Sequence, residues 1–194
     1  MPPKIKVTKE DIIRTSVELV RRNGDEAINA RLLAASLNCS TQPIFSNFAS
    51  MKELQSATIH ASYEIYQSFL KKELEHWAYP KYKAFGMGYI RFAMEERELF
   101  KLLFMRDRTD EDKSLTPDFK ECVQMIMDAN GVSYETAELI HLEIWIFVHG
   151  IATMIATSFL ALDLPLISDM LTDVYHGILE RHRAVGAQNG SNQT

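Results

Sequence analysis

Four polar residues between positions 31 and 46 have side chains that can distinguish one DNA base from another. Gln42 can form a pair of hydrogen bonds with adenine, and Arg31 can form a pair with guanine. Thr41 and Ser46 can hydrogen-bond to several base edges. This chemistry requires that the surrounding chain present the four side chains on one surface.

A short helix is predicted to start after Asn29, whose side-chain oxygen can cap the first backbone N–H groups. Leu32, Leu33 and Leu37 recur at helical spacing and form its predicted apolar face. The helix is expected to end at Asn38–Cys39, because the apolar spacing stops there.

A second short helix is predicted directly after this turn. Ser40 is its predicted N-cap, and Pro43 suits the first turn because its missing N–H removes no helical hydrogen bond. Ile44, Phe45 and Phe48 form its predicted buried face. Two such helices joined by a turn form a helix-turn-helix, whose second helix can enter the DNA major groove.

Residues 8–54 resemble the DNA-binding head of the tetracycline-repressor family of bacterial regulators. The resemblance rests on the stretches IIRTSVELVRRNG, ARLLA and IFxxFxSxxxL. The family usually has Tyr, His and Lys, which grip phosphates, where this chain has Phe45, Asn47 and Met51. Lys52, one residue further on, is the candidate substitute for the missing Lys.

The resemblance implies both phosphate contacts and base contacts for this head. Phosphate contacts position a protein on DNA, whereas base contacts carry the sequence specificity. The predicted phosphate contacts come from Asn29, Ser40, Asn47 and Lys52. The complete predicted DNA-binding set is Asn29, Arg31, Ser40, Thr41, Gln42, Phe45, Ser46, Asn47 and Lys52.

Composition places this head on an acidic, apolar-rich chain. The 194 residues are 46% hydrophobic and carry a net charge of −5. Residues 1–60 contain eight Lys or Arg and six Asp or Glu, a net charge of +2, which leaves −7 for the remainder. This asymmetry favours DNA contact through the head alone. Two widely separated cysteines and the lack of an apolar N-terminal stretch predict a cytoplasmic protein.

The sequence predicts an all-α protein, because no strand-like alternation appears. The expected architecture is a three-helix head, a long connecting helix and a helical-bundle body for ligand binding and dimerisation. Thr8 and Asp11 resemble a capping box that opens the first helix of the head. The predicted limits are residues 1–52 for the head, 53–183 for the body and 184–194 for a disordered tail.

Helix boundaries in the body are predicted from capping and turn residues. Ser50 and Glu53 form a capping box for the long helix, which should extend to about Trp77. Tyr79–Pro80 ends that region, and residues 106–114 form a charged loop. The remaining boundary signals are Thr116–Pro117, Asn130–Gly131, Ser133 and Leu164–Pro165, and the last helix should end near His182.

Residues 144–162 form an uncharged stretch long enough to span a bilayer. The stretch contains His149 and Gly150, and no Lys or Arg cluster anchors either end. It is therefore interpreted as a buried helix, with no membrane contact. A helix apolar on nearly all sides needs cover on nearly all sides, so we expect a homodimer formed through the last two helices.

The body is rich in Met and aromatic residues, which suit an adaptable apolar cavity with a few polar groups. For each residue alone, core packing is the default interpretation. The resemblance implies a small-molecule effector bound within the helical body. The predicted ligand-binding residues are Tyr63, Tyr66, Phe92, Met94, Phe104, Phe119, Met125, Trp145 and His149.

A metal enzyme is the competing interpretation. Glu73-x-x-His76 and Glu138-x-x-His141 have the spacing used by di-iron carboxylate bundles. Such a site needs two further inward Glu residues, and none stands in a recognisable position. No metal or cofactor is therefore predicted, and no catalytic residues are assigned.

The prediction is a ligand-responsive transcriptional regulator and not an enzyme. It is expected to act as a repressor, to bind a palindromic operator as a homodimer and to be released by a small apolar effector. The alternatives are the di-iron-like enzyme and a protein-binding module whose DNA-binding head is degenerate.

Overall fold

The computed structural model describes residues 7–76, 78–107 and 118–191. Within these ranges the regular structure is entirely helical, and the predicted all-α class is confirmed. The α-helices are α1 (Lys9–Asn23), α2 (Ala30–Ser36), α3 (Gln42–Asn47), α4 (Met51–Glu75), α5 (Lys81–Glu95), α6 (Arg97–Phe104), α7 (Asp118–Asn130), α8 (Tyr134–Ala156) and α9 (Leu164–Ser191). Trp77, Thr116–Pro117 and most of the predicted loop over 106–114 lie outside the described residues.

Residue contacts divide the chain into two compact units. The first comprises Met1–Ser68 and Glu95–Asp107, and the second comprises Phe69–Met94 and Arg108–Thr194. The long helix α4 therefore contributes residues to both units. The predicted division into a head, a body and a tail remains a prediction.

The first unit contains an apolar core to which α1, α2, α3 and the start of α4 contribute. Burial of these side chains fixes the short helices α2 and α3, which are too short to be stable alone. Asn38, in the turn between them, has a positive φ of 50°, a conformation that Asn tolerates better than most residues. The buried core residues are Ile12, Leu33, Ala34, Ile44, Phe48 and Leu54.

Three of the four predicted N-caps in the head are confirmed, and one of them is Ser50, whose hydroxyl accepts a hydrogen bond from the Glu53 N–H at 3.1 Å. Thr8 and Asp11 form a reciprocal capping box at α1, and the Asn29 side chain accepts a hydrogen bond from the Leu32 N–H at 2.9 Å. The predicted Ser40 cap is wrong, because α3 begins at Gln42. A cap at Ser40 would bind the backbone N–H of Gln42 or of residue 43, and Pro43 has none, so one of the two possible hydrogen bonds is lost.

Two apolar residues of the helix-turn-helix that were predicted to be buried are exposed. Leu32 is 46% exposed and Phe45 is 54% exposed. Ile44 and Phe48 are four residues apart and share one face of α3, and Phe45 is rotated by about 100° from Ile44. The same geometry buries Leu33 of α2 and turns Leu32 outward.

The buried face of α4 within the first unit contains small polar residues. Thr58 and Ser62 are fully buried together with Leu54, so the apolar pattern alone does not identify this face. The Ser62 hydroxyl donates to the Thr58 carbonyl at 2.8 Å, and the Thr58 and Ser16 hydroxyls are 2.9 Å apart. These bonds satisfy groups that would otherwise be costly to bury.

The second unit packs the end of α4, α5, α7, α8 and α9 together. Gly88 of α5 is buried where a Cβ atom would lie 3.2 Å from the Leu70 Cα atom. The Phe69 and Phe92 rings meet edge to face with centroids 5.4 Å apart. A residue without a side chain therefore sits at the closest approach of α5 to the end of α4.

The predicted buried helix over residues 144–162 is helical only as far as Ala156 in the structure, and it is only partly buried. α8 ends at Ala156, and α9 begins at Leu164. Ile144, Val148 and Ile151 are buried, whereas other apolar side chains of α8 are exposed. By length and hydropathy alone α8 could cross a membrane, but the core helix of a soluble protein meets the same criteria.

The last helix is longer than the sequence predicted. Ser133 caps α8 as expected, with its hydroxyl accepting from the Thr136 N–H at 3.3 Å. In contrast, α9 continues through Ser191 and does not end near His182. Residues 184–191 contain two Ala residues, which favour helix, and the polar residues that suggested disorder can also occur in a helix.

Candidate functional site

The outward face of α3 is formed by Gln42, Phe45 and Ser46, which are all exposed. Ile44 and Phe48 are buried on the opposite side, in the core of the first unit. This burial fixes the rotation of α3, so the orientation of its outer side chains is also determined. The helix thus presents a mixed polar and apolar surface.

Two predicted DNA-binding side chains of α3 form hydrogen bonds within their own helix. The Ser46 hydroxyl donates to the Gln42 carbonyl at 2.9 Å, and the Asn47 amide donates to the Pro43 carbonyl at 2.8 Å. Phosphate oxygens only accept hydrogen bonds. Ser46 in this rotamer therefore has no proton to offer a phosphate, whereas Asn47 retains a second amide proton.

The remaining predicted DNA-binding residues lie on the surrounding loops and helix ends. Arg31, Ser40 and Lys52 are exposed. Thr41 is half-buried and precedes α3 without a side-chain cap, which leaves its hydroxyl to other partners. Asn29 uses its side chain to cap α2. All nine candidates belong to the first unit, and their contacts with DNA remain a prediction.

Lys9 and Glu53 join the start of α1 to the start of α4. Their charged atoms are 3.2 Å apart, and the Lys9 ammonium lies 4.7 Å from the centroid of the Phe48 ring. The backbone N–H of Ala49 and then the Lys9 ammonium lower the pKa of the Glu53 carboxyl. The Ser50 half of the predicted capping box is confirmed, whereas the Glu53 carboxylate accepts from the Ala49 N–H, one residue earlier than the box required.

Three predicted ligand-binding residues form an aromatic cluster in the first unit. Tyr66 packs against Tyr63 at 5.5 Å and against Phe104 at 5.3 Å between ring centroids. Phe100, which is fully buried, extends the cluster from Phe104. The cluster joins α4 to α6 within this unit.

Two further predicted residues, Trp145 and His149, form a stacked pair in the second unit. Their rings are almost parallel, at 11°, with centroids 5.3 Å apart. The Tyr89 hydroxyl is 2.8 Å from the His149 Nδ1 atom, and the Thr153 hydroxyl is 3.5 Å from Nε2. Burial lowers the pKa of His149 and raises the pKa of Tyr89, so both groups are neutral near pH 7.

A second tyrosine–histidine pair lies on the same two helices. The Tyr82 hydroxyl is 2.9 Å from the His141 Nδ1 atom, and the Phe119 ring packs edge to face on the imidazole at 4.7 Å. Burial lowers the pKa of His141 to about 4 and raises the pKa of Tyr82. The two pairs show that α5 and α8 run in the same direction where they cross.

The predicted ligand-binding residues did not include Tyr82, Tyr89 and His141, which form polar pairs within the apolar body. A signal was present: the tyrosines are seven residues apart on α5, and the histidines are eight residues apart on α8. Both spacings return to nearly the same helix face after two turns. Which tyrosine meets which histidine depends on how α5 packs against α8, and the spacing along each helix does not specify that packing.

The other predicted ligand-binding residues are divided between core and half-buried positions. Phe92 is fully buried against Phe69, and Phe119 contacts His141. Met94 and Met125 are half-buried. The contacts of the predicted set thus form separate groups within the two units, and effector binding remains a prediction.

The two Glu-x-x-His pairs have structural partners in place of a metal-ligand arrangement. Glu73 is buried and paired with Arg91, and His141 is paired with Tyr82. His76 is exposed at the end of α4. Among the described residues, no three His, Cys, Asp or Glu side chains are grouped in a way that could hold a metal ion.

A row of apolar side chains on α8 is exposed. Leu139, Leu142, Ile146 and Met154 recur at helical spacing, and Ile146 is 59% exposed. Gly150 falls within this row, with no neighbouring atom within 4 Å of the position a Cβ would occupy. Phe159 and Leu160 after α8 and Leu166 on α9 are also exposed. The exposed face formed by these residues is called the apolar α8–α9 face.

Comparison with known proteins gives a family match over the C-terminal part of the chain. Residues 82–175 match the family described as tetracyclin repressor-like, C-terminal domain. Among solved structures, a protein with unknown function from Rhodococcus sp. RHA1 is similar at 16% identity, with a TM-score of 0.70 over 93% of this chain and 97% of that chain. This second likeness concerns the fold alone. No curated protein matches the sequence.

Proposed function

Because residues 82–175 match the tetracyclin repressor-like C-terminal domain, we propose that this chain is a cytoplasmic, ligand-responsive transcriptional regulator of the tetracycline-repressor family that binds duplex DNA as a homodimer. The family match covers residues 82–175 and therefore not the helix-turn-helix. The DNA-binding part of the proposal rests on the geometry of the first unit.

The observation that carries the proposal is the orientation of α3. Ile44 and Phe48 anchor one side of α3 in the core, and Gln42 and Phe45 project from the other. A helix held in this way behind a short turn can enter the major groove, which is wide enough to admit it. Arg31 and Lys52 are exposed in the same unit, where Arg31 can pair with guanine and Lys52 can supply positive charge for a phosphate.

The apolar α8–α9 face supports homodimerisation. A second copy of the same face would cover the exposed side chains of both subunits and form a four-helix interface with two-fold symmetry. Such a dimer presents two copies of α3, so the operator should be a palindrome with half-sites about one DNA turn or more apart.

The aromatic clusters support a response to a small apolar effector. Aromatic side chains with a few polar atoms, such as the hydroxyl and imidazole of Tyr89 and His149, suit ligands of this class. We propose that the effector binds one arrangement of the dimer more tightly than another and releases a repressor from its operator. Release requires this difference in affinity, because an effector that binds both arrangements equally does not change their relative populations.

Selection of bound fragments from randomised duplex DNA tests the proposal. We expect the selected DNA sequence to be palindromic and the affinity of the protein for it to fall as salt is added. Lys52 from two subunits gives two cationic phosphate contacts, which predicts a loss of about tenfold between 50 and 200 mM salt.

Charge-removing variants separate operator contacts from general electrostatics. Lys52→Gln should reduce the salt dependence of binding, because one phosphate contact per subunit is lost. Lys120→Gln removes an exposed charge from α7 and serves as the matched control. Absence of any enriched sequence, or binding that does not respond to salt, would contradict the proposed function.

A further inference from the structure

Phe45 is a large apolar side chain on the surface that α3 presents outward. Its ring is 54% exposed, whereas Ile44 and Phe48 on either side are buried. Single exposed apolar residues are common on proteins, so exposure alone assigns no role to Phe45. The position of the ring among its neighbours on α3 supplies the further evidence.

The neighbouring polar side chains leave Phe45 and Gln42 as the outer contacts of α3. The side chains of Ser46 and Asn47 donate to carbonyl groups one turn earlier in the helix. Gln42 and Phe45 are three residues apart and share a face of α3, with Cβ atoms separated by about 5–6 Å. The described contacts include none that holds the Gln42 amide.

The chemistry of a phenyl ring limits what Phe45 can contact on DNA. The ring has no hydrogen-bond donor, so it cannot bind a phosphate in the way that a tyrosine hydroxyl does. In the major groove, the apolar group available to such a ring is the 5-methyl group of thymine. We propose that Phe45 is a specificity-determining residue that packs against a thymine methyl group in each half-site.

The distance between Gln42 and Phe45 predicts how far this thymine lies from an adenine in the operator. The Gln42 amide can form two hydrogen bonds with the adenine edge in the major groove. Successive bases on a strand are about 3.4 Å apart along the axis, so side chains about 5–6 Å apart reach base pairs one or two steps apart. The half-site should therefore contain A·T pairs at two adjacent or next-adjacent positions. This inference rests on the proposed DNA-binding function and adds the base that Phe45 reads.

Replacement of thymine by uracil tests the contact directly, because it removes the methyl group and leaves base pairing intact. Each thymine of the selected operator is replaced in turn, and the affinity of the full-length protein is measured at fixed salt. One replacement should weaken binding about fourfold, and replacement in both half-sites should weaken it about 15-fold, as expected for burial of one methyl group per half-site.

Three variants assign this effect to the Phe45 ring. Phe45→Ala should bind the thymine and uracil operators equally at that position, whereas Phe45→Tyr keeps a ring and should retain the preference for thymine. Leu32→Ala is the matched control, because Leu32 is another exposed apolar residue of the helix-turn-helix, on α2. It should preserve the full cost of methyl removal even if total affinity changes.

The outcomes distinguish the inference from the proposed function. If no uracil replacement weakens binding, or if Phe45→Ala shows the same methyl dependence as the wild type, the inference is wrong and the protein is still a sequence-specific DNA-binding protein. If no duplex is selected at all, both the inference and the proposed function fail, and an exposed Phe45 is better explained by contact with a partner protein.

Discussion

The guanidinium group of Arg21 on α1 donates to both carboxylate oxygens of Glu96, the residue that precedes α6, at 2.9 and 2.7 Å. Glu18, one turn earlier on α1, accepts a further hydrogen bond from Arg21. These bonds, with Glu96 first, raise the pKa of Arg21 and keep it charged. The bidentate geometry is the stronger form of this ion pair.

We predict that Arg21→Gln lowers the free energy of unfolding by about 1–2 kcal/mol, because Glu96 then loses its charged partner at a half-buried site. Arg14→Gln removes the same charge from α1, but Arg14 pairs with Asp11 at an exposed position. The control should change stability by less than about 0.5 kcal/mol. Urea denaturation measures both, and equal effects would contradict the assigned importance of the Arg21–Glu96 pair.

Gly88 and Gly86 of α5 should respond oppositely to substitution by alanine. Alanine is the better helix former by about 0.5–1 kcal/mol, so Gly86→Ala should stabilise the protein, since its new Cβ would meet neighbours at 3.5 Å or more. In Gly88→Ala the Cβ would lie 3.2 Å from the Leu70 Cα atom. A backbone atom cannot move away as the end of a flexible side chain can, so we expect the free energy of unfolding to fall by about 1–3 kcal/mol.

Thermal unfolding of the two alanine variants and the wild type provides the comparison. The pair is matched because the same substitution is made on one helix, two residues apart. A Gly88→Ala variant as stable as Gly86→Ala would show that α5 and the end of α4 do not pack as closely as described.

His141 should make stability fall in mild acid. Its pKa is lowered from 6.5 to about 4 by burial, so between these pH values the unfolded chain binds a proton that the folded protein does not. Stability from this group is complete above pH 6.5 and is lost as the pH falls toward 4, by at most about 3 kcal/mol.

Denaturation of wild type, His141→Gln and His60→Gln across pH 4–7 isolates this contribution. His141→Gln should have the flatter pH profile, although it is less stable at pH 7 because Tyr82 loses its partner. His60 is largely exposed, so its variant should follow the wild type. Parallel curves for all three proteins would rule out a neutral, buried His141.

Ile146 tests the apolar α8–α9 face as a dimer interface. Ile146→Glu should weaken dimerisation at least about 100-fold, because a carboxylate would be buried without a partner in each subunit. Its exposure in the single chain means that folding should be retained. Sedimentation over a range of concentrations measures the effect, with Lys120→Glu on α7 as the control. A dimer that persists in Ile146→Glu would place the interface elsewhere.

Local chemistry in the sequence was sufficient to predict helices and most of their limits. Thr8, Asn29 and Ser133 cap helices as expected, because each cap involves groups only three residues apart. Asn38 and Gly131 mark helix ends through positive φ angles, which depend on residue type. The failure of the Ser40 cap also has a local contribution, since Pro43 removes one of the two backbone N–H groups that such a cap could bind.

Tertiary packing decided which side of each helix faces inward and which side chains meet. Leu32 and Phe45 are apolar yet exposed, and Thr58 and Ser62 are polar yet buried, because burial depends on the angle at which a helix meets its neighbours. The pairing of Tyr89 with His149 joins residues 60 positions apart, which periodicity along one helix cannot predict. Helix formation follows from interactions within a few residues, whereas the composition of a site depends on contacts between distant segments.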